Sequence, residues 1–286
     1  MKAEIKCRFC GSENISKWGR RKTQNRGLIQ TYKCNDCSKR FTQDDGFLKM
    51  KNSPQKITLC LDLFFNGVST RKIQSHLKQF YPHNSSWVSV YNWVVKYSKM
   101  IGKYADTLKV STSKQIQVDE MEFKTKGKTS WFIDIIDPET RFMVSSGFFE
   151  GRGKEEIREV LLNAKSKDKE ISYITTDGFM VYRNVIKKTF SSYSKKAIHK
   201  VVNASQGEGF NQRIERMHNS IRERTKTFRG FGSLNGAKAI MKGYEIYYNF
   251  IRKHQGINKT PIEMVSDIRL KDNKWLELIE LSSSQK

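Results

Sequence analysis

Proline is scarce, with four in 286 residues, and long apolar runs are missing. The longest near-continuous one, Ile57 to Phe65, is interrupted by Asp62 and falls far short of the ~20 residues that cross a bilayer, so no transmembrane helix and no membrane partner is expected. The opening, Met1 to Cys10, lacks the apolar region of about 7–15 residues that marks a secretory signal. A reducing cytoplasm is the expected compartment. Acid is short too: 29 Asp and Glu against 53 Lys and Arg leave +24, which excludes a basic partner and points to a polyanion. Internal repeats are lacking, and only Ser282 to Lys286 is of low complexity. Five cysteines are too few for a disulfide framework, and four of them stand in two tight pairs, which suggests metal.

What is present starts with 37% hydrophobic residues, enough to bury an ordinary core. The basic excess is spread out: residues 1–52 carry 13 basic and 5 acidic side chains, residues 53–110 carry 8 and 2, and residues 215–259 carry 10 and 3. Spread charge fits a long or multi-site anion footprint better than a single basic arm. Residues 1–50 are rich in Cys, Gly and Lys/Arg and too poor in aliphatics to fold on a hydrophobic core alone. From Ser53 the period turns helical. Ser53 caps, Pro54 opens the helix, and Ile57, Leu61, Phe64 and Phe65 recur on one face. Ser69 caps a second helix to about Phe80, and a third follows Pro82, giving a helix-turn-helix-like unit with Trp87 to Met100 as recognition helix.

After about Lys109 the period becomes that of strands. Gln115–Glu120, Trp131–Asp137 and Phe142–Phe149 read as a three-strand meander, the last two joined by a turn at Asp137-Pro138-Glu139-Thr140. A helix from Lys154 to about Lys167, a strand at Tyr173–Thr176, a helix near Val181–Lys188 and a strand at Ala197–Val202 follow. From about Gly209 the pattern is helical, broken at Gly230-Phe231-Gly232. The order βββαβαβα is that of a mixed α/β fold.

Cys7-x2-Cys10 and Cys34-x2-Cys37, with 23 residues between the pairs, place four thiolates where two turns close a tetrahedral structural zinc site. Arg20, Arg21, Lys22, Lys39 and Arg40 surround it and suit phosphate contact. Cys60, on an apolar helix face, reads as core. In a chain this basic the acids of the α/β region stand out, because cutting a phosphodiester requires carboxylates to hold Mg²⁺. Asp119 and Asp177 end strands and Glu215 lies on a helix, but Glu120, Glu122, Asp134 and Asp137 are rivals that spacing alone does not remove.

The stretches VDEMEFKTKGKTSWFIDIID, ITTDGFMVYRNVI, NQRIERMHNSIRER, GFGSLNGAKAI and YYNFIRKHQGINKTPIEM resemble the DDE transposases of prokaryotic insertion sequences, over about residues 110–266. That resemblance implies a ribonuclease H-like core and a catalytic triad at Asp119, Asp177 and Glu215, 58 and 38 positions apart. It makes Asp137 a noncatalytic hairpin residue and leaves Asp134 without a role. Asn211 and His218 match the family's pattern around the glutamate. Helical spacing puts His218 and Arg222 on the face of Glu215, as two contacts to the scissile phosphate. RRKTQNRGLIQTYKCNDCSKRF is similar to zinc ribbons that open some of these transposases, although many relatives have no cysteines there. Trp131, Phe228-Arg229 and Tyr247-Tyr248 are candidates for stacking on unpaired bases.

The expected organisation is a zinc ribbon at 1–50, a helix-turn-helix-like region at 53–108, a ribonuclease H-like catalytic domain at 110–270 and a tail at 271–286. The expected function is that of a DNA transposase, which binds the element's terminal repeats, cuts with two Mg²⁺ (or Mn²⁺) ions and joins 3′ ends to target DNA. It would work as a homo-oligomer assembled on DNA, in the cytoplasm with the nucleoid. The rival is a catalytically inactive zinc-dependent DNA-binding protein, a regulator or a decayed transposase.

Overall fold

A computed structural model describes residues 5–81, 85–191, 197–202, 212–226, 228 and 230–284. Asn211 and Arg229 lie outside the described residues. Three short strands open the chain: β1 (Ile15–Thr23), β2 (Gly27–Cys34) and β3 (Arg40–Thr42), paired antiparallel in that order. They share only a small apolar cluster, Cys7, Cys34 and Phe41 with Ile5, Ile15 and Tyr32 against it. So little buried surface does not hold a fold, and the cysteine cluster takes its place.

Three helices follow: α1 (Pro54–Phe65), α2 (Thr70–Phe80) and α3 (Trp87–Thr107). Each begins on a serine whose side chain accepts from a backbone amide three residues on, Ser53 from Lys56, Ser69 from Lys72 and Ser86 from Ser89. The α/β region is β4 (Gln115–Thr125), β5 (Lys128–Ile136), β6 (Met143–Phe149), α4 (Lys154–Lys167), β7 (Tyr173–Thr176), α5 (Val181–Phe190) and β8 (Ile198–Val201). The sheet order is β6-β5-β4-β7-β8, with β4 to β6 antiparallel and β7 and β8 parallel to β4. This is the mixed sheet expected of a ribonuclease H-like core. The meander is longer than its sequence suggested. Lys126 and Gly127, at φ +49° and +79°, close a two-residue turn that extends β4 to Thr125 and starts β5 at Lys128. Lys-Gly lacks the usual Asn-Gly signal, so the strand ends were misplaced.

The chain finishes with α6 (Gln212–Thr225), α7 (Leu234–Ile246), a π-helical turn (Tyr247–Ile251), α8 (Ile262–Val265) and α9 (Lys274–Ser283). Ile57, Leu61, Phe65, Tyr97 and Ile101 from the three early helices join Val118, Phe132, Ile135, Tyr244 and Ile279 in one continuous core. The helical unit is therefore packed into the α/β body instead of standing beside it. Phe65 shows how closely: its ring meets Tyr244 and Trp275 at 5.2 and 5.4 Å. A Cβ at Gly243 would come within 2.2 Å of the same ring. The proposed recognition helix buries Val90, Trp93, Val94, Tyr97 and Ile101 in this core. It exposes Trp87 and Val88 in its first turn, then the stripe Asn92, Lys96, Lys99 and Lys103. The last residues are not a loose tail either. In α9, Trp275 donates to Asp62 of α1 at 3.2 Å, and just before it Asn273 donates to Thr58 at 2.9 Å.

Candidate active site

Parallel pairing of β4 with β7 sets Gln117 beside Thr175, so two residues further on Asp119 and Asp177 fall side by side, where the ladder stops. Strand alternation keeps them on one face. Oxygens of Asp119, Glu120 and Asp177 all lie within 4.8 Å of one another, and all three residues are half-buried. Burial, with Asp134 and Glu120 adding repulsion, raises the Asp119 carboxyl to about 7 against the pull of His218. Asp177 accepts the backbone amide of Phe179 at 3.0 Å, which fixes the Asp177-Gly178 turn. Three hard oxygen donors at this distance suit a divalent cation, which for Mg²⁺ is usually held by one or two carboxylates with substrate phosphate completing the set.

Glu120 is different from the other two. Its Oε1 takes Arg152 at 2.6 Å and its Oε2 takes the Tyr182 hydroxyl at 2.5 Å, so both oxygens are engaged. Arg152 lies between the rings of Trp131 and Phe179, 4.0 and 4.6 Å from their centroids. Trp131 is thus a platform for Arg152. Of the other proposed stacking residues, Tyr247 and Tyr248 are buried in the core, and Phe228 is partly buried and packs on Phe64 and Phe231.

Helix α6 lies against β4 and β5 through Ile214, Met217 and Ile221, all buried, as the apolar stripe predicted. His218 is 3% exposed, with Nε2 at 2.8 Å from Asp134 Oδ1 and Nδ1 at 3.7 Å from Asp119 Oδ2. Burial pulls this imidazole down, but Asp134 and then Asp119 outweigh it and hold it above its usual range. The side chain expected to contact the scissile phosphate is thus enclosed between two acids, with no broad face open to solvent. Glu215, one turn before it, is exposed and stands outside the carboxylate cluster. Arg222 is exposed on the flank of Glu215 and donates to Asn219 at 3.4 Å. The structure thus brings Asp119 and Asp177 together and leaves Glu215, the third expected acid, outside their cluster.

Asp134 had no role in the sequence. It is fully buried, and cross-strand pairing sets it opposite Asp119, on the same face. The signal was an acid inside the otherwise apolar strand WFIDII, a position where burial demands a partner. Asp137 lies buried at the start of the β5–β6 turn. Its carboxylate accepts from the amide and hydroxyl of Ser113 at 2.8 Å each and from the amides of Glu139 and Thr140 in the hairpin turn. Asn249 was also missed. On the π-helical turn, its amide brackets the backbone of Met143, accepting from N at 2.9 Å and donating to O at 2.8 Å, and pins the edge strand β6.

In the ribbon, Sγ of Cys7 and Cys37 are 3.6 Å apart, as are those of Cys10 and Cys34, and all four lie within 4.8 Å. A tetrahedron of ~2.3 Å zinc–sulfur bonds has edges of about 3.8 Å, so the set fits zinc. The four thiols titrate as one set: backbone amides of Cys37 and Asp36 hold Cys34 down and Cys7 is lowered too, while desolvation and their thiol neighbours raise Cys10 and Cys37. Arg20, Arg21, Lys22, Lys39 and Arg40 are all exposed, Lys39 and Arg40 just after Cys37 but Arg20, Arg21 and Lys22 towards the tip of the β1–β2 hairpin, up the ladder from Cys34. Lys33 and Arg40 flank the half-exposed Trp18 at 5.0 and 4.2 Å.

A family model described as a DDE domain, that of IS240-type transposases, matches residues 113–255, half of the chain. Among solved structures, the catalytic core domain of HTLV-2 integrase in complex with magnesium (trimeric form) is similar at 18% identity. That likeness covers 52% of this chain and 93% of that one, with a TM-score of 0.40. A simian T-cell lymphotropic virus intasome in complex with PP2A regulatory subunit B56 gamma is similar at 12% identity over 73% of each chain, TM-score 0.41. The curated proteins contain no match. Among the described residues, no helix is long and apolar enough to cross a membrane.

Proposed function

We propose a reaction from one premise: the chain belongs to the DDE transposase family of the IS240 type. In our reading it hydrolyses a phosphodiester at each end of its element, and the freed 3′ hydroxyl then attacks target DNA. The observation that carries this is the pair Asp119 and Asp177, set side by side by the β4–β7 register in a chain of net charge +24. A phosphate-binding surface has no use for carboxylates, which repel its ligand, unless they hold a cation.

Two divalent ions, Mg²⁺ or Mn²⁺, when bound would activate the attacking oxygen and stabilise the leaving one. Asp119 and Asp177 are the ligands, and Glu215 supplies the third carboxylate from α6. Glu120 serves the site indirectly, with its oxygens committed to Arg152 and Tyr182. His218 ties α6 to β5 through Asp134 and borders Asp119, so it sets the distance between helix and strand ligands. Arg222, on the flank of Glu215, meets the phosphate. No covalent enzyme intermediate is involved; positioning and charge neutralisation supply the catalysis. The ribbon, through Arg20, Arg21, Lys22, Lys39 and Arg40, and the exposed stripe of α3 grip the element's terminal repeats. Joining two ends calls for a homo-oligomer assembled on DNA.

One observation favours a second reading, that of a zinc-dependent DNA-binding protein without catalysis: Glu215 stands apart from the cluster. The two are separated by incubating a plasmid carrying the gene and its flanking DNA with wild type and Glu215→Gln, in Mg²⁺ and in chelator. The transposase reading predicts metal-dependent cuts at the element's ends that vanish in the variant. Binding of the ends without cuts in any metal would establish the second reading instead.

A further inference from the structure

Four guanidiniums converge where α6 meets the β5–β6 hairpin and the end of the π-helical turn. Arg213 and Arg216 come from α6, Arg141 from the hairpin and Arg252 from the residue that ends the π turn. They line a cleft of about 50 Å³ together with Tyr248 and His254. That is several times the ~10–15 Å³ that a single water needs. Among the described residues, none of the four has a carboxylate within ion-pair distance. Burial and the proximity of Arg213, Arg216 and Arg252 disfavour the charge on Arg141, which is half-buried over Gly256. Burial, with Arg252 beside it, pushes His254 down to about 4, so it stays neutral and adds no fifth positive charge to the cleft.

Assembling like charges around a cleft costs folding energy, and a fold retains such a cluster where an anion repays it. Guanidinium forks suit phosphate oxygens in particular. The location bears on which phosphate. On α6, Arg213, Arg216 and Ser220 fall on one flank, while Glu215, Asn219 and Arg222 fall on the other, with the buried stripe between them. The cleft therefore does not face the carboxylates.

We propose that Arg141, Arg213, Arg216 and Arg252 form a second phosphate site, which holds a backbone phosphate of DNA on the flank of α6 away from Glu215. It would seat α6 between two stretches of nucleic-acid backbone, one at the carboxylates and one at the arginines. The proposal rests on the reading of the chain as a DNA-acting protein, but its test uses no cleavage, so the two fail separately.

The test uses the full-length protein, the double variant Arg141→Gln/Arg252→Gln and its charge-keeping counterpart Arg141→Lys/Arg252→Lys. Thermal midpoints are measured in chloride and in inorganic phosphate at equal ionic strength. DNA affinity is measured by fluorescence anisotropy on a duplex across a salt series. We expect the Gln variant to unfold at a higher temperature than wild type in chloride, because repulsion is relieved. Phosphate should raise the midpoint of wild type and of the Lys variant but not of the Gln variant. The slope of log affinity against log salt should fall by about 0.9 in the Gln variant, roughly eightfold weaker binding at 0.1 M salt. A Gln variant less stable than wild type in chloride would mean the arginines hold the fold and would overturn the proposal. A phosphate response with an unchanged DNA slope would also overturn it, assigning the cleft to a free anion.

Discussion

The exposure of single side chains decides most of what the site does. His218 and Glu215 are one helical turn apart, yet one is buried between acids and the other faces solvent. Breaking a buried charged pair from one side leaves the other charge uncompensated, so Asp134→Ala should cost about 3–5 kcal/mol of stability, read by denaturant unfolding. A loss under 1 kcal/mol would show the pair to be wet. The same residues set a pH dependence. A carboxyl raised from 3.8 to about 7 in the folded protein contributes stability at low pH that is lost as pH rises through that range, and His218, also raised, loses its contribution above its unfolded value. In chelator the protein should therefore unfold at lower temperature at pH 8 than at pH 6, and Asp119→Asn should flatten the difference. Added Mg²⁺ should stabilise wild type more at pH 8 than at pH 6, and equal gains at both would contradict a carboxylate metal site. Residue types and spacing made the four cysteines legible, whereas Asp119 and Asp177 were separated from their acidic rivals only by the resemblance of the surrounding stretches to a known family. Asp134 and the arginine cleft were not, because their meaning lies in which neighbours the sheet register and the π turn bring to them.

Elements were legible wherever one local cause fixed them. Ser53 with Pro54, Ser69 and the apolar stripe of α6 each announced a helix that the structure contains. The β4–β5 turn escaped because Lys126 takes a left-handed conformation that no side-chain preference advertises. The ribbon is the element with least support of its own, since its cluster of buried apolar residues is Cys7, Cys34 and Phe41. Stripping zinc should unfold β1 to β3 while leaving the body intact, seen as loss of ribbon amide protection with the main thermal transition unmoved. Collapse of the whole chain on chelation would contradict this. The segment meets the body where Tyr97 donates to the carbonyl of Gly46 at 3.1 Å.

For the whole molecule, periodicity divided the chain at about residue 110, and packing does not. Whether a helix stands alone depends on what covers its apolar face, and for α1 and α3 that cover is α7 and α9, more than a hundred residues away. A fragment of residues 110–270 would expose the face of α7 that Phe65 and Ser98 bury, and it should not fold cooperatively. Phe65→Ala in the full chain should lower the stability of the entire body by about 3–5 kcal/mol, in a single transition. Loss of the early helices alone, with the sheet still protected from hydrogen exchange, would restore the separate domain that the sequence suggested.

The central claim is that Asp119 and Asp177 hold the metal that cuts DNA. The most direct test labels the strand to be cut in a duplex carrying one end of the element and follows release of a 3′ hydroxyl in Mg²⁺, with wild type beside Asp119→Asn. The account predicts a metal-dependent nick by wild type alone, with both proteins binding the duplex equally. A nick of undiminished rate by Asp119→Asn, or none by a wild type that binds, would contradict it.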